Sequence, residues 1–414
     1  MFGQTGLEST GRLIVGAMLA LAWGGMAQAQ MQAPVPAADP APVPSSVSPE
    51  AAREQGKHSV FFDPKDGQLD LSEWLLTKKG FLPVPIIITE PAVGYGGGVA
   101  VAFFSQSMAE AAAQARNTGH VTPPDIYGGA IAATENGTKF GGGGAMLSFL
   151  DDRWRYRGGV GYTDVNLDFY GIGSRFGKDY KIGYNLKGLI SSQQAMYRLG
   201  ASSNFLALRW IYIDMDSTFD VNRLRPDLPE PSFASKSSGL GLSFEHDSRD
   251  TMFTPSRGAL AAFDTMFYAP AFGSDETFQT YRGHVFAYTP VGSAVVLGGR
   301  LDGRLARGDV PFYQMPFIDM RGVPAARYQN DNIALAEVEA RWNVTHRWGL
   351  IGFAGVGRAW GNGTSFDDAG NKFSKGAGFR YQIASVLKLW MGMDYAWGPD
   401  GEQAFYIQVG NAWR

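Results

Sequence analysis

From residue 81 onward, apolar and polar positions alternate with a period of two. Segments of about 8 to 14 residues rich in Val, Ile, Leu, Tyr, Phe and Gly are separated by polar stretches, a pattern that belongs to β-strands. It predicts strands over 81–89, 93–105, 125–134, 139–150, 154–165, 180–191, 196–214, 236–247, 258–270, 278–290, 293–306, 331–342, 347–360, 376–386, 388–397 and 403–413. The count is sixteen, and an even number of antiparallel strands closes a transmembrane barrel. The expected fold is all-β: a single 16-stranded antiparallel barrel over residues 81–414, preceded by a short helix.

Connection lengths point the same way. Outer-membrane barrels alternate short periplasmic turns with longer external loops. The predicted connections at 151–153, 192–195, 291–292, 343–346 and 387 are tight, whereas 215–235 and 307–329 are long. Segment 106–124 breaks the rule: it is long where a periplasmic turn is due, and its 108–115 core reads as a helical turn. Within 347–360 one face carries Trp348, Leu350, Gly352, Ala354, Val356 and Trp360. At about 3.3 Å per residue and roughly 40° of tilt, the two tryptophans span close to the ~25 Å apolar band and fall on its aromatic girdles. Within 331–342, Val338, Ala340 and Trp342 share one side, while Glu337, Glu339 and Arg341 share the other and are expected to face a polar lumen.

The N-terminus carries a different texture. Arg12 precedes an apolar run over 13–23, and Ala27 and Ala29 supply the small residues of a cleavage site, so residues 1–29 read as an export signal. Residues 30–57, with six prolines, read as a Pro/Ala-rich disordered tether. Within 58–80, Asp70 and Glu73 frame a helix start before Trp74, Leu75 and Leu76, giving a short helix able to plug or cap the periplasmic mouth. The neighbouring 63–70 stretch superficially resembles a calcium loop but lacks the ligand spacing and the closing Glu, and reads as a turn.

Composition narrows the function. The chain has 54 glycines, a net charge of −3 and no cysteine. Absence of cysteine excludes disulfides, thiolate zinc sites and a cysteine nucleophile. The near-neutral charge argues against nucleic acid as a partner. Glycine runs at 94–98 and 141–144 do not match spaced phosphate loops and read as barrel glycines. Glu245, His246, Asp247 and Asp250 read as a polar turn rim in preference to a metal site. Five histidines (His58, His120, His246, His284, His346) among many serines single out no triad, so a lipid hydrolase is the weakest reading; neither an enzyme nor a cofactor is expected. Arg304, Arg307, Arg321, Arg327 and Arg341 either pair with Glu337, Glu339 and Asp302 or favour anion passage.

Several motifs resemble the BamA/TamA family of outer-membrane assembly barrels, the bacterial surface antigen group. Residues 244–250 (Phe-Glu-His-Asp-Ser-Arg-Asp) followed by 254–258 (Thr-Pro-Ser-Arg-Gly) are similar to that family's Asp-x-Arg-Asp turn and Pro-x-x-Gly, giving Asp247, Arg249, Asp250, Pro255 and Gly258 as the periplasmic turn motif. Met320, Arg321, Gly322 and Val323 resemble its lumen loop. Phe353, Gly355 and Gly357 resemble its Phe-x-Asp-x-Gly strand, with Gly355 standing where the family has Asp. Tyr406 and the penultimate Trp413 resemble its C-terminal assembly signal. The resemblance implies a loop arginine held inside the barrel by acids. With Gly355 in place of Asp, strand parity makes Glu339 the best remaining partner of Arg321, with Glu337 second. Family assembly factors also carry POTRA modules, for which residues 30–80 are too few and too Pro-rich. The implied function is insertion or translocation of polypeptides or lipids from a weak seam between first and last strands. Outer-membrane lipids would be partners, with an unfolded client polypeptide or a separate periplasmic factor; the alternative is a pore or transporter for small solutes.

Overall fold

The computed structural model describes residues 10–11, 60–77, 80–107, 125–169, 182–220, 231–251 and 253–413. The export signal, the tether and the 108–115 helical turn lie outside the described residues apart from the pair 10–11. One short helix, α1 (Ser72–Thr77), precedes a sheet of sixteen strands in strict sequence order, beside a two-residue parallel pairing of Thr10–Gly11 with Phe312–Tyr313. The strands are β1 (Gly80–Glu90), β2 (Gly94–Phe104), β3 (Ile126–Thr134), β4 (Lys139–Phe149), β5 (Trp154–Phe169), β6 (Ile182–Arg198), β7 (Asn204–Asp220) and β8 (Ser232–Asp247). They continue with β9 (Gly258–Tyr268), β10 (Phe278–Val291), β11 (Val295–Gly308), β12 (Asn332–Asn343), β13 (Trp348–Trp360), β14 (Lys372–Ala384), β15 (Leu389–Trp397) and β16 (Gln403–Val409). Every neighbouring pair is antiparallel, and β1 and β16 lie side by side, so the sheet curls into a barrel. Among the described residues no helix is long and apolar enough to cross a membrane, and the crossing is made by strands.

Alternation decides which side chains meet lipid. On β12, Val338 and Trp342 face outward and are 61% and 52% exposed, while Glu337 and Arg341 point inward and are buried. On β13, Trp348 and Leu350 face outward while Ile351 and Phe353 are buried in the lumen. The ends with the shorter turns, at 150–153, 292–294, 344–347 and 385–388, mark the periplasmic rim.

Several boundaries depart from the sequence expectation: β5 runs on to Phe169, β14 starts at Lys372 and β16 ends at Val409, and two further differences are larger. Residues 192–195, expected as a turn, lie inside β6, and the turn falls at 199–203. The polar run has a structural reason: near the rim, Gln193 donates to Ser191 Oγ at 2.8 Å and to the Gly159 carbonyl at 3.2 Å, and Tyr156 bonds to Gln193. These outward polar groups satisfy one another in the wall and need no turn. Likewise β7 and β8 extend toward each other, so the expected 215–235 loop shrinks to 221–231.

Val338 sits at the middle of β12, opposite Gly299 and Ala354. Val338→Arg is expected to cost about 2–4 kcal/mol of folding stability in a bilayer, read by urea titration of refolding into vesicles. A change below about 0.5 kcal/mol would mean that this face does not meet hydrocarbon.

Candidate functional site: the braced lumen, the floor and the seam

The loop between β11 and β12 does not stay outside. Residues 310–326 turn into the barrel and are buried almost without interruption. Phe312, Phe317, Ala325 and Ala326 pack in one cluster with the inward side chains of β1 to β7, among them Ile88, Phe140, Leu186 and Phe219. Val310 and Met315 pack on Met266, Tyr268 and Phe278, and Ile318, Met320 and Val323 on Ile333 and Leu335. The lumen is thus apolar where the loop meets β1 to β7, while the charges expected to face inward, Glu337, Glu339 and Arg341, do so on the opposite wall. Strand parity sets a side chain's direction but not its company, and here the company is the chain's own loop.

Arg321 fixes that loop. Its guanidinium donates to Glu339 Oε2 at 2.7 Å from β12 and to Asp394 Oδ2 at 3.0 Å from β15, and lies 3.6 Å over the Phe353 ring. Asp394 in turn accepts two bonds from Arg380, at 2.6 and 2.9 Å. Asp394 and the Phe353 ring were not read from the sequence as partners; Asp394 on inward-facing β15 was the available signal. Glu337, expected as the second partner, is instead bonded to Arg300 at 2.7 Å. It sits one β-pleat away from Glu339, where Arg300 on the facing strand β11 reaches it directly. Arg300 and Arg304 also hold Asp302 and Asp319.

Gly355 and Gly357 make room for the loop. A Cβ at Gly355 would lie 2.8 Å from Glu337 Cγ and 3.0 Å from Met320 Sδ, and one at Gly357 would lie 2.6 Å from Ile318 Cγ2. An aspartate at 355 therefore has no space here, and the acid that pairs Arg321 comes from β15. Gly322 has φ +84° and approaches the β15 end so closely that a Cβ would lie 3.1 Å from Ala396 Cβ; its N–H donates to Tyr406 Oη at 2.9 Å. Val323 closes the turn by donating to the Met320 carbonyl at 3.1 Å. Of the remaining expected basic set, Arg307 bonds Asn332, Arg327 bonds Glu402, and Arg341 donates to the Pro255 carbonyl at 3.0 Å.

The periplasmic floor is built from three segments. In the 248–257 turn, Arg249 makes a two-point bond to Asp247 at 2.9 and 2.8 Å, and Asp250 accepts from the Ser256 amide and hydroxyl and from Lys388. Gly258 has φ +94°, and a Cβ there would strike the Ser248 carbonyl at 2.1 Å. His246 lies 2.8 Å from Asn204 Oδ1, and among the described residues no group of His, Asp and Glu gathers as a metal site. Trp413 turns inward after Gly410 and is buried against Phe286 and Tyr288 of β10. Tyr406 faces Gly322 in the lumen.

The third segment is residues 61–77. Asp63, Asp66 and Asp70 all accept from Arg347, at 2.7, 2.8 and 2.6 Å, and that guanidinium is 1% exposed. The three carboxylates thus surround a cation supplied by the chain. The Arg347 guanidinium, with His346 and the Gln68 amide, holds Asp66 well below the usual carboxylate range. For Asp70 burial opposes the charge, but bonds from Ser385, Ser72 and Arg347 outweigh it and the carboxyl is also held well below that range.

The seam lies between β1 and β16. No backbone ladder joins them among the described residues, although every other neighbouring pair of strands has one. On β1 the Ile86 carbonyl faces β2, lying 3.3 Å from where a Gly97 Cβ would stand. Alternate residues of an antiparallel strand direct their bonds to opposite edges, so Pro83 and Pro85 sit where their missing N–H groups face the seam.

A barrel with a folded-in loop and an unladdered seam defines a class of outer-membrane β-barrel. The chain belongs to the Omp85 superfamily, whose domain matches residues 136–413. Insertion and translocation at the outer membrane are the general work of such barrels. Among solved structures it is similar to BamA from Haemophilus ducreyi lacking POTRA domains 1–3, with TM-score 0.54 and 13% identity over 80% of this chain and 70% of that one. It is also similar to CdiB from Escherichia coli (TM-score 0.53, 12% identity) and CdiB from Acinetobacter baumannii (0.51, 10%), covering 80% of this chain in each case. The chain spans 61% and 59% of those two CdiB chains. No curated protein matches it.

Arg321→Ala is expected to lower the temperature at which the folded barrel melts on a semi-native gel. Breaking a buried pair commonly costs about 3–5 kcal/mol. In a double-mutant cycle Arg321→Ala and Asp394→Asn should couple by more than about 0.5 kcal/mol, whereas additive effects would remove Asp394 from the brace. The pH dependence of the floor has a definite sign. Carboxyls depressed in the folded state stabilise docking above their unfolded values near about 4 and lose that contribution as pH falls through the lower folded values. Pepsin cleavage between Phe61 and Leu69 is therefore expected to rise only in acid below about pH 4, relative to a free peptide of the same sequence. Equal protection at about pH 2 and pH 5 would show that the carboxylates do not hold the segment.

Proposed function

We propose that this barrel inserts or translocates polypeptides or lipids at the outer membrane by opening its β1–β16 seam, with the Arg321 loop bracing the lumen wall while the seam works. The observation that carries the reading is the seam. It is the one junction in the sheet of described residues without a ladder, and two of its edge donors are removed by Pro83 and Pro85. Exposed strand edges pair readily with an incoming strand, so an unfolded client strand is the partner of choice and the surrounding lipids are the second. The similarity to BamA and CdiB barrels supports the fold on which this rests.

The rival reading, a pore for small solutes, is disfavoured by the buried course of residues 310–326 through the lumen. An export signal over residues 1–29 and a tether over 30–57 belong to the same proposal, delivering the barrel and leaving 60–77 free to dock. In liposomes, the purified protein is expected to speed insertion of a small unfolded barrel client beyond liposomes carrying an unrelated barrel, with little leakage of entrapped dye. The double variant Pro83→Val and Pro85→Val, which restores the donors, should slow that insertion several-fold. Dye leakage without acceleration would favour the pore, and unchanged insertion by the double variant would detach the activity from the seam.

A further inference from the structure

The chain immediately before β1 grips the opposite end of the sheet. The Leu71 amide donates to the Ile383 carbonyl at 2.7 Å on β14, and the Val386 amide donates to Ser72 Oγ at 3.0 Å in the β14–β15 turn. Tyr381 Oη donates to the Leu69 carbonyl at 2.8 Å. Arg347, in the β12–β13 turn, holds Asp63, Asp66 and Asp70. Farther along, Trp74, Leu75 and Leu76 of α1 pack on a cluster that joins Leu82 of β1 and Phe104 of β2 to Ala384 and Leu387 beside the β14–β15 turn. One short segment thus touches both flanks of the unladdered seam, and it runs directly on toward the first strand of that seam.

We propose that residues 63–77 are a releasable clasp that spans the periplasmic mouth and holds the β1–β16 seam closed at that end, with Arg347 as its lock. The inference rests on the contacts of the fold and stands whether or not the barrel inserts clients. Six residues of helix are too few to persist alone in water, so α1 keeps its shape only while docked. Its charged contacts converge on one guanidinium. With Arg347 in place, its charge offsets the mutual repulsion of three carboxylates gathered at one point; without it that repulsion is left uncompensated and the ion-pair attraction that seats the segment is lost. Freeing the segment frees the start of β1, where the chain crosses from the clasp into the sheet. The polar lock acts on the β14–β15 side of the seam, while the apolar α1 contacts reach both sides.

The test is hydrogen exchange by mass spectrometry on the full-length protein in lipid nanodiscs. Arg347→Ala is expected to speed exchange in peptides covering 60–77 and, by roughly tenfold, in those covering 80–90 and 403–409, with 182–220 unchanged. Faster exchange in 60–77 with the two seam peptides unchanged overturns the clasp, and unchanged 60–77 overturns Arg347 as its lock. Where Arg347→Ala fails to fold, the cysteine-free chain allows a second route through Ser72→Cys with Val386→Cys. Oxidising that pair is expected to slow exchange in 80–90 relative to the reduced form, and equal exchange in the two forms overturns the proposal.

Discussion

A guanidinium drawn into a low-dielectric lumen has to be paired, because an isolated buried charge costs far more than a folded domain can spare. Arg321 meets that demand by bonding Glu339 on one wall strand and Asp394 on another, with the Phe353 ring beneath it. The consequences spread along the loop. Once Arg321 is seated, Met320 and Ile318 fall over Gly355 and Gly357, which are small enough to receive them, and Gly322 is brought to Tyr406 on the last strand. The remainder of 310–326 then covers the inward side chains of β1 to β7. An apolar lumen surface is tolerable in this barrel because the loop, and not water, lies against it.

The same loop reaches the outer part of the seam. It bonds Tyr406 through Gly322, and Ala325 N–H lies 3.4 Å from Glu90 Oε1 at the end of β1. The clasp bridges the two flanks at the periplasmic end. A ladder would close the junction with a row of backbone hydrogen bonds, each of about 1 kcal/mol net, formed and lost together. Side-chain bridges from within and below can be released one end at a time, which suits a barrel that opens along one line without unravelling elsewhere. The fifteen laddered junctions remain continuous while the sixteenth is governed by two short segments of the same chain.

Gly355 shows how a departure from a family pattern is absorbed. Gly355 carries no acid, Met320 packs against it, and Arg321 is paired from β15 by Asp394. Glu337 joins Arg300, Arg304, Asp302 and Asp319 in a second charge network against the wall.

The sequence by itself determined the strand count, the antiparallel order and the outward face of β12 and β13, because these follow from a period of two and from hydrophobicity, which are local properties. Glu339 was marked by inward parity and charge, which need no knowledge of neighbours many strands away, whereas Arg321 was marked only by its resemblance to a family loop motif. Polar side chains that bond one another in the wall, as at 191–193, mimic a turn in sequence and hid the length of β6. Only the tertiary structure decided that Asp394 completes the brace, that Glu337 serves Arg300, and that Trp413 turns into the lumen. Only it could decide, too, that the carboxylates of 63–70 enclose Arg347, which lies about 280 residues downstream of them. Those outcomes depend on which strands curvature brings face to face across the lumen, and no local pattern records that distance.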